Sequence, residues 1–173
     1  MELESKPGKG TSFHITIPFG QRPENSGRQE TLLSGLRVLA VDDDWLTLET
    51  YKQLLASFGM DTVVHDKPEE VLTMLKEAEA AGKPFNLVVL DWRMPQMDGL
   101  ELARRIRTDR ALRYSPSLIL FSAFGWEGLT LQAESAGVDA FLNKPINESV
   151  LLDTILTLLK TDDGQYYLLG GSL

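Results

Sequence analysis

From Leu36 onward the chain alternates short unbroken apolar runs with stretches whose apolar residues recur every three or four positions. The runs are LRVLAVDDD from Leu36, LVVLDWRMPQMDGLE from Leu87, SLILFSA from Ser117 and AGVDAFLNKPI from Ala136. Continuous apolar runs closed by breakers mark strands buried on both faces of a parallel sheet. Thr62 to His65 predicts a fifth, shorter strand. Between the runs, Leu48, Tyr51, Leu55 and Phe58 fall at helical spacing and Gly59 marks a stop. A second helix starts at Asp66 to Glu69, with proline early, and turns Val71, Leu72, Leu75 and Ala78 inward. A third runs from about Asp98 to Arg107 with Leu102 and Ile106 inward. The fourth, Trp126 to Ala136, is weakened at its start by Gly125 and Gly128. The fifth, Glu148 to Lys160, is expected to bury Leu152, Ile155, Leu156 and Leu159. Five strand-helix units predict an α/β fold, one parallel sheet with helices on both faces and right-handed crossovers.

The first 35 residues follow another pattern. GKGTSFHITIPF has a glycine-rich turn, then alternation of Phe13, Ile15 and Ile17 with Ser12, His14 and Thr16, the mark of a half-buried strand. Gln21 to Gly35 is polar and rich in proline and glycine, as a linker would be, with Leu32 and Leu33 available to dock on a surface. The expected organisation is therefore an N-terminal module over 1–20, a linker over 21–35, the main domain over 36–160 and a tail over 161–173. In the tail, Tyr166-Tyr167-Leu168-Leu169 reads as a docked segment or as the start of a further connection.

Charge sharpens this division. The formal net charge is −8, yet residues 1–35 balance four basic against four acidic side chains, so the excess belongs to the main domain. An acidic domain repels nucleic acid and suits a divalent cation or a protein partner. Arg104, Arg105, Arg107, Arg110 and Arg113 cluster locally, and a solvated helix and loop face explains them best. No run suits a membrane span, and no basic, apolar leader opens the chain. The absence of cysteine excludes disulfides and thiol chemistry and fits a cytoplasmic setting.

The candidate chemistry sits where the apolar runs end. Asp42 and Asp43, Asp91, Ser122 and Lys144 each follow a strand, and the C-terminal ends of parallel strands are where open α/β sheets place their sites. An aspartate after a strand is usually a turn former or helix cap, and Asp44 fits that role as the cap of the first helix. Asp42, Asp43 and Asp91 are different, because they should converge. Two carboxylates about 4 Å apart repel by roughly 4 kcal/mol at an effective dielectric near 20, so three together call for a cation.

Taken in order, VDDD, LDWRMPQMDG, FSA and NKP resemble the receiver domain of two-component response regulators, over about Leu36 to Lys160. The resemblance implies a flavodoxin-like, doubly wound sheet of five parallel strands. It implies that Asp91 accepts a phosphoryl group from a phosphohistidine. Magnesium, or manganese in its place, would be held by Asp42 or Asp43, Asp91 and the backbone carbonyl of Arg93. Lys144 and Ser122 would contact phosphoryl oxygens, with a cis bond before Pro145. Ser122 and Phe141 match the family's switch pair, and Arg93 and Phe124 stand at positions that tune acyl-phosphate hydrolysis. Implied partners are the phosphohistidine domain of a histidine kinase or a histidine phosphotransfer protein, with the fourth helix, fifth strand and fifth helix as an output or homodimer face.

The N-terminal stretch looks like the last turn and strand of a histidine kinase ATP-binding domain, the order found in hybrid histidine kinases. By itself it lacks that domain's ATP site, and neither His14 nor His65 has the surroundings of a phosphorylated histidine. The expectation is a non-enzymatic phosphoacceptor in the cytoplasm, its parent a kinase that can be anchored in a membrane. Two alternatives stand beside it. One is an unphosphorylated interaction domain on a receiver scaffold. The other, an aspartyl-phosphate phosphatase, wants an acid where Arg93 stands.

Overall fold

A computed structural model describes residues 2–6, 10–14, 33–123 and 130–159. Its N-terminal part is an antiparallel pair, β1 (Glu2–Lys6) and β2 (Gly10–His14), in which Glu2 faces His14 and Lys6 faces Gly10. The second strand was expected; the first was not, because ELESK carries a single apolar residue and gives no periodic signal. Ile15 and Ile17 lie outside the described residues.

The main domain runs β3 (Arg37–Val41), α1 (Trp45–Ser57), β4 (Asp61–His65), a 3₁₀ turn (Pro68–Glu70), α2 (Val71–Ala80), β5 (Leu87–Asp91), α3 (Gly99–Thr108), β6 (Ser117–Ser122), α4 (Thr130–Ser135), β7 (Ala140–Asn143) and α5 (Glu148–Leu158). The five strands β3 to β7 form one parallel sheet in the order β4-β3-β5-β6-β7. Adjacent residues on a strand face opposite sides, and the core divides accordingly. Val38, Ala40, Val89, Ile119 and Phe121 pack with Leu48, Tyr51 and Leu55 of α1 and Leu151 and Ile155 of α5. Leu39, Val41, Val88, Leu90 and Leu120 pack on the other face with Val71 and Leu75 of α2, Leu102 and Ile106 of α3 and Ala133 of α4.

Several expectations shift in detail. The fifth helix buries Leu151, Ile155 and Leu159, with Leu152 and Leu156 only half-buried, so its inner stripe is centred one residue earlier than expected. Proline starts the second helix as foreseen, but as a 3₁₀ turn that passes into α2 at Val71. Leu33, assigned to the linker, is fully buried beside Leu36, and its carbonyl accepts the Leu36 N–H at 3.2 Å. Arg107 is no solvated-face residue: its guanidinium donates to the Gly137 carbonyl at 2.7 Å, the Pro116 carbonyl at 2.8 Å, Asp139 Oδ2 at 2.6 Å and Ser115 Oγ. It thereby ties the end of α3 to the loops before β6 and β7. The start of the fourth helix, Phe124, Leu32 and the tail with Tyr166 to Leu169 lie outside the described residues.

Candidate functional site

Three loops at the C-terminal edge of the sheet build the site. Asp42 follows β3 directly, and with 2 % of its side chain exposed it is buried more deeply than an unpaired carboxylate tolerates. It is paired: Oδ1 accepts the Asp44 N–H at 2.9 Å, and Oδ2 accepts Lys144 Nζ at 2.8 Å. Asp91, the last residue of β5, is also buried, and its Oδ2 accepts the Arg93 N–H at 2.8 Å. Its Oδ1 lies 2.6 Å from the same Lys144 ammonium. Lys144 thus bridges two carboxylates delivered by two adjacent strands. The chain holds it there: its backbone N–H donates to the Ser122 carbonyl at 2.7 Å, and the Lys144-Pro145 bond is cis, as expected.

Asp43 completes the cluster. One carboxylate oxygen from each of Asp42, Asp43 and Asp91 lies within 4.8 Å of the others. Asp44 stands apart as the expected cap of α1, its carboxylate accepting the N–H groups of Leu46 and Thr47 and the Thr47 hydroxyl. The cluster opens on a cavity of about 240 Å³, whose wall includes all three acids, Ser122 and Lys144. Ser122 ends β6 and is almost wholly buried. Trp92 is half-buried beside Asp91, and the Arg93 guanidinium lies over its ring, 4.9 Å from the centroid. Phe141 does not reach this cavity wall; it is buried in the sheet face shared with α3 and α4.

Electrostatics bind the pieces together. Burial raises the pKa of Asp42, and the hydrogen bonds from Lys144 and Asp44 only partly offset it. Burial alone would lower that of Lys144, but its bonds to Asp42 and Asp91 outweigh this and raise it. Lys144 is therefore a cation at neutral pH, one positive charge among three carboxylates. Hard oxygen donors, clustered and under-neutralised at the mouth of a cavity, suit a divalent cation such as magnesium.

Two contributors escaped the sequence reading. One is Gly99; the residue of this loop with positive φ is Gln96, at 69°. Gly99 begins α3, and a Cβ there would collide with the Asp91 carbonyl oxygen and come within 2.6 Å of Leu120 Cδ1. Its N–H donates to the Trp92 carbonyl at 2.9 Å, so the loop after Asp91 folds flat onto the strand end. The other is Tyr51, legible only as an apolar core position.

Residues 38–156 match the model of the response regulator receiver domain. The chain belongs to this family. It is 31% identical over 125 residues to the chemotaxis protein CheY-3 of Vibrio cholerae, covering 72% of this chain and 92% of that protein. It is 29% identical over 125 residues to the osmosensing histidine protein kinase SLN1 of Saccharomyces cerevisiae, where the match spans 72% of this chain but 10% of the kinase. The receiver domain of the histidine kinase CKI1 from Arabidopsis thaliana, solved with Mg2+ and BeF3−, superposes with a TM-score of 0.66 at 28% identity, covering 77% of this chain and 95% of that one. The fold is the flavodoxin-like fold of CheY-like receivers, and the function is that of a two-component receiver domain. Receiver domains bind magnesium at an acidic pocket and work with histidine kinases or phosphotransfer proteins. Among the described residues no helix is long and apolar enough to cross a membrane.

Proposed function

We propose that Asp91 is the phosphoacceptor of this receiver and that Asp42, Asp43, Ser122 and Lys144 serve the transfer. The supporting observation is the shared ammonium: Lys144 Nζ holds Asp91 and Asp42 together at the end of two buried strands. A carboxylate oxygen of Asp91 attacks the phosphorus of a partner's phosphohistidine. The P–N bond breaks, its electron pair stays on the imidazole nitrogen, and an acyl phosphate remains on Asp91.

Positioning and charge carry such a transfer. Asp42, Asp43, Asp91 and the Arg93 carbonyl would hold magnesium, or manganese in its place. When bound, that cation supplies positive charge to the phosphoryl oxygens and relieves the repulsion among the carboxylates. Lys144, cationic throughout the physiological range, turns from the carboxylates to a phosphoryl oxygen, and Ser122 donates its hydroxyl to another. Phe141, packed two strands from Asp91, takes up space released when Ser122 moves. Arg93, parked on the Trp92 ring, and Phe124 set access of water to the acyl phosphate.

The chain then acts as a phosphorelay module and not as an enzyme on a separate substrate. The antiparallel pair β1-β2 and the match to a yeast histidine kinase support a place after the ATP-binding domain of a hybrid kinase, with a histidine phosphotransfer protein as recipient. Tryptophan fluorescence provides the test, since Trp92 adjoins Asp91. Magnesium followed by acetyl phosphate should give a saturable change that Asp91→Asn abolishes. A magnesium response with no further effect of acetyl phosphate would favour an unphosphorylated interaction domain.

A further inference from the structure

Tyr51 carries a hydroxyl that the fold buries. The residue lies in the second turn of α1 and is fully buried. Its ring meets that of Phe121 at a centroid distance of 5.4 Å and a tilt of 48°, and Phe121 is the β6 residue paired with Asp91 in the sheet. Among the described residues the phenol oxygen has no hydrogen-bond partner. A buried hydroxyl in that state is costly, and phenylalanine would fill the same space without the cost. Such an orphan asks for a second state in which a partner arrives.

The direction of the helix points toward a partner. Side chains on a helix lean toward its N-terminus, and the N-terminus of α1 is the corner occupied by Asp42, Asp43 and Asp44. Burial first, and then the negative charges of Asp42 and Asp91, push the phenol's pKa up, so the hydroxyl is a donor. In the resting site Asp42 Oδ2 is served by Lys144. Once Lys144 turns to a phosphoryl oxygen on Asp91, that carboxylate oxygen loses its donor while remaining buried.

We propose that Tyr51 is a positioning residue for Asp42: its hydroxyl donates to the carboxylate, directly or through one water, when Lys144 leaves it for the phosphoryl group. Asp42 is thereby kept oriented as a cation ligand in the loaded state. The proposal rests on the reading of Asp91 as phosphoacceptor.

Tyr51→Phe, which keeps the ring on Phe121, separates the two states. In metal-free protein the variant should melt at the wild-type temperature or above it, since an unused hydroxyl is removed. Binding of magnesium with beryllofluoride, a phosphoryl mimic, followed by tryptophan fluorescence, should weaken about three- to tenfold, the worth of one hydrogen bond. That split, resting stability kept and loaded-state affinity lost, is one that a purely structural tyrosine does not give. Equal affinities in variant and wild type would overturn the proposal. So would a lower metal-free melting temperature, because the hydroxyl would then be in use at rest. If wild-type protein itself fails to bind the pair of ligands, the phosphoacceptor reading falls first and the role of Tyr51 with it.

Discussion

At Asp42 burial and charge oppose each other. Its carboxyl is held above its ordinary pKa by burial, against the pull of Lys144 and the Asp44 N–H. A raised pKa in the folded state means that proton binding favours folding. The stabilising contribution is complete below the unfolded carboxylate value of about 3.9 and is lost as pH rises through the folded pKa. At neutral pH the charged Asp42 is therefore a cost that serves the site. Asp42→Asn should raise the metal-free melting temperature at pH 7. The gain should shrink as pH falls from 7 toward 4, since proton uptake relieves the wild-type charge, and stabilisation by magnesium should be largely lost. Thermal melts at the two pH values, with and without magnesium, check this; a metal-free variant less stable than wild type at pH 7 contradicts it.

Among elements, the contact that matters most for the site is the one between the end of β5 and the start of α3. Asp98 caps α3 by accepting the Glu101 N–H at 2.7 Å, and Gly99 then passes against the Asp91 backbone with no room for a methyl group. Gly99→Ala must push the strand end and the helix apart. It should cost about 1–3 kcal/mol in urea unfolding and slow phosphorylation of Asp91. A variant with unchanged stability and phosphorylation would show that the loop yields without moving the carboxylate.

Elements also show what could be read from residues alone. Asp91, Ser122 and Lys144 were legible because each ends an apolar run with a group that a buried strand does not otherwise carry. The inner face of α5 was not, since Val150, Leu151, Leu152, Ile155, Leu156, Leu158 and Leu159 let two neighbouring stripes satisfy the same helical period. Only packing in the core layer shared with β3, β5, β6 and α1 selects Leu151 and Ile155. The role of Gly99 escaped notice because a steric demand from a backbone eight residues away leaves no local mark. The Tyr51 hydroxyl was hidden for a similar reason: the ring reads as core, and its want of a partner exists only in three dimensions.

On the scale of the molecule, one sheet joins two apolar layers, and the site lies on its upper edge where loops from three strands meet. Lys144 reaches across from β7 to strands that are not its neighbours, with Ser122 on β6 between them. Charge placed on Asp91 is thus felt on three strands at once, and both helix layers rest on those strands. That arrangement suits a module which turns a local covalent event into an altered surface. The order of its strands was implied by family resemblance and is borne out; the depth at which Leu33 enters the core was not foreseen, because a leucine in a polar stretch carries no period.

The most direct measurement is the intact mass of the protein after incubation with magnesium and acetyl phosphate, followed by peptide mapping. The expected result is the gain of one phosphoryl group, mapped to Asp91, absent from Asp91→Asn and lost when magnesium is chelated beforehand. No mass gain in the wild-type protein, or the same gain in Asp91→Asn, would contradict the assignment of Asp91 as the phosphoacceptor.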